Sequence, residues 1–338
     1  MALCLALFLQ ACNSEDVSER QIAARESGIG GTGISNECSP DTSLGWKPGG
    51  SGLGGTGLMA ENGLGGTGIV GVINGFGSIC VNGVKVEYTA DTPIWIDGKD
   101  QRADALRLGQ VVFVQTKEES RTPEAKLIEV NHALSGPVNL VEADRKRFTV
   151  IGGTVEWNDK TLFADVNGQP LQPEMLKAGM SVAVNGLWKQ EGLLEATRVD
   201  VRPASGMVSV TGFLHSIADD WMDINGMSIS VARDELCDMG AEGYNVRVTG
   251  LWDGSYMNAY ELAIKSTNIR SERLNTAGYV SEDMADGGFR MADGSLVSIT
   301  GNTEILGSDK VKVGDRVWVY GRVASARNIN AEQIRVFQ

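Results

Sequence analysis

Basic charge, histidine and long apolar runs are all scarce in this chain, and each scarcity excludes something. Lys and Arg number 30 against 43 Asp and Glu, a formal net charge of −13. Binding of a nucleic acid or other polyanion, which needs a basic groove to neutralise phosphates, is therefore disfavoured. Histidine occurs only at His132 and His215, with no cysteine or second histidine at ligand spacing. Each reads as a structural residue rather than a catalytic base or metal ligand. No Gly-x-Ser-x-Gly elbow is present to carry a serine nucleophile. The cysteines form no Cys-x-x-Cys pair, which removes the usual zinc pattern. The nearly continuous apolar run at residues 1–11 is too short to span a bilayer and reads as an export signal.

What is present is repetition. After Gly71, Gly136, Gly212 and Gly278 comes an alternating run, then a turn glycine at Gly109, Gly179, Gly243 or Gly314, then a closing strand starting at Ala125, Ala196, Ala259 or Ala331. The period is roughly 70 residues, the signature of one small unit in tandem. Alternation in β-branched residues marks half-buried strands, and Asn82-Gly83, Asp97-Gly98, Asn225-Gly226, Asp253-Gly254 and Asp293-Gly294 supply hairpin turns. Each unit reads as three strands, a short helical or turn connector (Ala103 to Leu108, Pro173 to Ala178, Ala232 to Met239, Ser308 to Val313), then two strands. That order is OB-type, with small open sandwiches as the competing reading. The predicted fold is all-β: a tandem array of four small OB-like β-barrel units at 69–132, 133–204, 205–270 and 271–338 after a disordered glycine-rich leader. Units of this size have small cores, so neighbours are expected to pack together.

Leu9-Gln10-Ala11-Cys12 resembles a lipobox, in which the cysteine is acylated and becomes the mature N-terminus. Cys12 is thus the predicted lipid anchor, and Asn13 after it points to the outer membrane. The signal carries no Lys or Arg and is short, which a start codon upstream of Met1 would explain; an unmodified apolar tip is the alternative. Removing Cys4 with the signal and acylating Cys12 leaves Cys38, Cys80 and Cys237, enough for at most one disulfide. A Cys38–Cys80 bridge and buried free thiols both stay open. Residues 12–68 form a Gly-rich tether holding Gly28-Ile29-Gly30-Gly31-Thr32-Gly33 and its copies at Gly52 and Gly63. No strand and helix N-terminus flank these copies, as a phosphate cradle requires, so a flexible tether is expected.

The leader running into Ile69-Val70-Gly71-Val72-Ile73-Asn74-Gly75-Phe76-Gly77-Ser78-Ile79-Cys80-Val81-Asn82-Gly83, followed by Leu106-Arg107-Leu108-Gly109-Gln110-Val111-Val112, resembles a family of exported bacterial proteins. It is the one labelled domain of unknown function fifty-six sixty-six. The likeness is closest from Gly63 to Val130, with weaker copies to Phe337. It implies small tandem β-barrels outside the cytoplasm and supplies no catalytic residues.

Two kinds of site are suggested by the residues. Gly186-Leu187-Trp188 and Gly250-Leu251-Trp252 open equivalent loops between the last two strands of units 2 and 3, with Tyr256 nearby. That loop commonly walls an OB ligand groove. Trp188, Trp252 and Tyr256 are therefore candidate ligand or partner contacts, while burial of the tryptophans at seams between units is the favoured alternative because small units need it. Trp95, Trp157, Trp221 and Trp318 lie within strand patterns and read as core. Asp219, Asp220, Asp223 and Asn225, or Asp283 and Asp286, offer oxygen atoms to calcium, but their spacing departs from a calcium loop, and neither metal nor cofactor is expected. The expected function is a lipid-anchored, non-enzymatic binding or assembly scaffold of the cell envelope, with a protein or glycan partner and no nucleic acid. The alternative is an envelope hydrolase or metal-dependent enzyme with a site between repeats.

Overall fold

The structure is a computed structural model that describes residues 38, 67–117, 123–218, 220–231, 243–264, 271–325 and 328–337. The signal, Cys12, the leader other than Cys38, Thr67 and Gly68, Asp219, Cys237 and the third connector lie outside the described residues. Among the described residues no helix is long and apolar enough to cross a membrane.

The alternating runs form strands throughout. Unit 1 holds β1 (Thr67–Gly75), β2 (Ile79–Val81), β3 (Val84–Val86), β4 (Ile94–Ile96), β5 (Lys99–Gln101), β6 (Val111–Thr116) and β7 (Ala125–Val130). Unit 2 holds β8 (Leu134–Glu142), β9 (Arg147–Val150), β10 (Gly153–Glu156), β11 (Leu162–Ala164), β12 (Ser181–Gln190) and β13 (Leu193–Arg202). Unit 3 holds β14 (Met207–Ala218), β15 (Trp221–Ile224), β16 (Met227–Val231), β17 (Asn245–Trp252) and β18 (Met257–Ile264). Unit 4 holds β19 (Arg273–Asp283), β20 (Phe289–Met291), β21 (Leu296–Ser298), β22 (Glu304–Leu306), β23 (Arg316–Ser325) and β24 (Asn328–Phe337).

Pairing in unit 3 runs β14, β15, β16, β18, β17 and back to β14, a closed ring of five strands in which the third and last run parallel. Units 2 and 4 close in the same order. In unit 1 a parallel bridge from Glu87 to Glu124 completes the ring. This is the OB order, and it removes the free edges that open sandwiches would leave. The connectors of units 1 and 2 hold the expected short helical or turn segment as a single 3-10 turn, at Ala103–Ala105 and Pro173–Met175. Before the connector, units 1, 2 and 4 carry an additional short strand (β4, β11, β22) that pairs parallel with the last strand.

Two glycine positions explain the repeat signature. Gly109, Gly179, Gly243 and Gly314 have φ of +80°, +86°, +79° and +88°, a region other residues resist. Their N–H groups donate to the carbonyls of Ile73, Val138, Leu214 and Val280 at 2.8, 2.8, 2.7 and 2.8 Å, so all four hold one place against the first strand. The first-strand glycine makes room for the hairpin corner. A Cβ on Gly71 or Gly212 would stand 2.1 or 2.3 Å from Oδ1 of Asn82 or Asn225. Those asparagines reach across to unit 4: Asn82 Nδ2 donates to Asn275 Oδ1 (3.0 Å) and Asn225 Nδ2 to the Ala292 carbonyl (2.8 Å).

The units also join edge to edge through their first strands. β8 meets β14 antiparallel, and the cores of units 2 and 3 form one apolar cluster. β1 meets β19 parallel, so the first unit pairs with the last across the whole sequence. Cys38 and Cys80 form a disulfide, which fixes one point of the leader to β2 and resolves the cysteine question for that pair.

Candidate functional site

In an OB barrel the loops joining strands 1 to 2 and 4 to 5 flank the outer face of strands 2 and 3. In unit 3 the start of the second strand and the loop joining the last two strands each bring an aromatic ring to that face. Met222 and Ile224 point into the core, so the two-residue period turns Trp221 and Asp223 outward on β15. Tyr256 closes the turn between β17 and β18, where Asp253 Oδ1 accepts the N–H groups of Ser255 (2.8 Å) and Tyr256 (2.9 Å). These backbone hydrogen bonds hold the Asp253 carboxyl below its ordinary range and fix the turn. The two rings meet edge to face with centroids 5.7 Å apart, while Trp221 stays 44% and Tyr256 42% exposed.

Trp221 is also the end of a row. It lies opposite Ser230 on β16, and Ser230 lies opposite Asn258 on β18. Ser230 is half-buried and Asn258 exposed, and neither side chain is hydrogen-bonded to another described residue. Beyond them Met207, Leu251 and Tyr260 are exposed, with Leu251 opposite both Asn258 and Met207. Three of the four exposed aromatic side chains of the described residues, Trp221, Tyr256 and Tyr260 but not Trp95, thus belong to unit 3.

The other candidates divide between the ligand-contact and the favoured seam readings. Trp188 is buried, and its indole N–H donates to the Thr211 carbonyl of unit 3 at 2.9 Å, so it fills the seam and is absent from the outer face. Trp252 is half-buried against the shared core of units 2 and 3. Of the three candidate contacts, Tyr256 is the exposed one. Among the strand tryptophans Trp157 is core, packed between Phe148 and Phe163. Trp95, at 46%, and Trp221 correct the core expectation because they occupy the outward parity of their strands. Trp318 is half-buried at the joint of units 1 and 4, its indole N–H donating to Asn275 Oδ1 at 2.7 Å. Two calcium candidates are occupied by their own turns: Asp223 Oδ1 accepts the Gly226 N–H (3.0 Å) and Asp286 Oδ1 that of Gly288 (3.1 Å).

Two concavities lie between units. A cavity of about 130 Å³ has walls from all four barrels, including Phe113, Trp188, Thr211 and Tyr279. Asp293 lines it, and burial pushes that carboxyl above the usual range. A cleft of about 910 Å³ is lined by Glu191, Phe213, His215, Glu282 and Arg290. There the His215 ring packs edge-on to Phe213 at 4.5 Å, and Arg290 pairs with Glu282 at 3.0 Å. In the first of these concavities, Ser295 stands beside Asp293 and its N–H donates to Asp293 Oδ1 at 3.0 Å.

His132 is structural in a specific way. Its Nδ1 lies 2.7 Å from Asp97 Oδ2, and Arg247 of unit 3 approaches Oδ1 of the same carboxylate at 3.6 Å. Burial alone would raise the Asp97 pKa, but His132 and Arg247 outweigh it and hold the carboxyl at about 2 against an ordinary 3.8. Because the folded value is depressed, this contribution is complete above the unfolded value and is lost as pH falls from about 4 through 2. Asp97→Asn is expected to cost about 2 kcal/mol at neutral pH and to flatten the stability profile over that acid window, as measured by denaturant unfolding at stepped pH. An unchanged profile would contradict the linkage.

One family model, described as Domain of unknown function (DUF5666), matches residues 67–129, 135–200 and 277–335. These segments correspond to units 1, 2 and 4, and unit 3, which carries the exposed aromatic face, lies outside them. No curated protein matches the chain.

Proposed function

We propose that this chain, which belongs to the DUF5666 family, is a lipid-anchored binding or assembly scaffold of the bacterial cell envelope and not an enzyme. The observation that carries the binding role is the Trp221–Tyr256 pair, two rings kept out of the core and held by an ordered turn. Exposed aromatics of this kind anchor sugars or protein partners, since they bury much area with few rotamers to fix. The other three barrels supply rigidity and position. An acidic chain disfavours nucleic acid as the partner. A site between repeats, the enzymatic alternative, would rest on Asp293 in the inter-unit cavity, since Glu156 is depressed while held by Arg147 and Lys189 and Asp97 is held by His132.

Export is supported by the Cys38–Cys80 disulfide, because such bonds persist in oxidising compartments. With the signal at 1–11 it favours anchorage through an acylated Cys12, in the outer membrane by virtue of Asn13. Wild-type protein is then expected in the membrane fraction and Cys12→Ala in the soluble or unprocessed fraction after cell lysis. Identical partitioning of the two would end the lipoprotein reading.

A further inference from the structure

We infer that the outer face of unit 3 binds an uncharged oligosaccharide; this rests on the binding role proposed for that face. Trp221, Ser230 and Asn258 stand side by side on three adjacent strands, a row ~10 Å wide at the usual strand spacing. It offers an aromatic plane, a hydroxyl and an amide in sequence. A sugar ring presents an apolar face of C–H bonds and a rim of hydroxyls that both donate and accept. The indole matches the first, and the hydroxyl and amide, each donor and acceptor, match the second. Tyr256 sets its ring at 67° to Trp221, which gives the row a wall at one end.

Charge narrows the class to neutral sugars. Among the described residues on β15 and in the two turns beside the rings, the charged groups are the carboxylates Asp220, Asp223 and Asp253, which would repel an anionic glycan. A cationic peptide is disfavoured for a different reason. Asp223 accepts the Gly226 N–H, and Asp253 accepts two turn N–H groups, so these carboxylates are committed to shaping the site. The polar side chains in the row beside Trp221, those of Ser230 and Asn258, carry no charge.

The test is isothermal titration of the full chain with tetramers of glucose and of N-acetylglucosamine, at low and high salt. At least one tetramer should bind, equally at both salt levels. Affinity should fall about tenfold or more in Trp221→Ala and in Asn258→Ala and remain unchanged in Trp95→Ala, which removes the other exposed tryptophan. Two substitutions on different strands guard against a local folding defect in either. Binding of neither tetramer, or equal binding by wild type and Trp221→Ala, would overturn the inference. If the sugars fail while an envelope protein or basic peptide is cross-linked by wild type and not by Trp221→Ala, the face is a binding surface and the ligand class is wrong. If neither sugars nor envelope components distinguish the two proteins, the binding role fails with it.

Discussion

Trp188→Ala is expected to destabilise the protein by about 3 to 5 kcal/mol, whereas Trp221→Ala should change stability by about 0.5 kcal/mol or less. The contrast follows from where the two indoles sit. Trp188 packs into the apolar cluster shared by units 2 and 3 and donates to the Thr211 carbonyl, so its removal opens a cavity and leaves a buried acceptor without its donor. Trp221 has its neighbours on one side and solvent on the other. Denaturant unfolding of the two variants beside wild type measures both effects. Equal losses would mean that Trp221 is packed and the proposed recognition face does not exist.

Asn225→Ala is expected to cost about 2 to 5 kcal/mol, more than a typical polar substitution. Asn225 is 2% exposed. Its Oδ1 accepts the Phe213 N–H and its Nδ2 donates to the Ala292 carbonyl, so truncation strands two buried backbone groups at about 1 to 3 kcal/mol each. The corner itself has φ of 49°, which asparagine tolerates better than alanine. Since one hydrogen bond lies within unit 3 and the other crosses to unit 4, the loss should also weaken docking of the two barrels. Proteolysis should then cut faster between units than in wild type. A variant as stable and as resistant as wild type would show that this corner holds nothing together.

The repeat was legible because it is written in backbone requirements. A glycine that must adopt positive φ, as at Gly109 and its equivalents, or must leave room for Asn82 or Asn225, recurs wherever the fold recurs. The closing order of strands followed from those signals. The joints between units did not. Nothing in the alternating pattern of β1 says that its edge will meet β19, because both faces of a pairing edge are backbone and carry no side-chain signature. The pairing of Cys38 with Cys80 is likewise a matter of proximity, and spacing alone left free thiols equally open.

At the site, the misassignment of Trp221 was avoidable, and the seam burial favoured for Trp188 agrees with its strand parity. Trp221 stands at the outward parity of a strand whose Met222 and Ile224 are buried, so the two-residue period already placed its ring outside. Trp188 follows a register shift between Asn185 and Gly186, with another before Gln190. At the first shift the extra residue, Thr197, lies on β13, so parity counted along β12 from Val182 and Val184 still carries Trp188 inward. The Asp97, His132 and Arg247 cluster was invisible because its members come from three stretches of sequence that only the packing of barrels brings together.

The measurement that bears most directly on the proposed recognition face is a titration of the indole N–H resonances of 15N-labelled protein with the glucose and N-acetylglucosamine tetramers. The chain has 7 tryptophans, and each indole reports its own surroundings. The expected result is a shift confined to the Trp221 resonance, with Trp188 and Trp318 unmoved because their N–H groups are held by the Thr211 carbonyl and Asn275 Oδ1. A spectrum in which no indole responds, or in which Trp188 moves and Trp221 does not, would contradict the account.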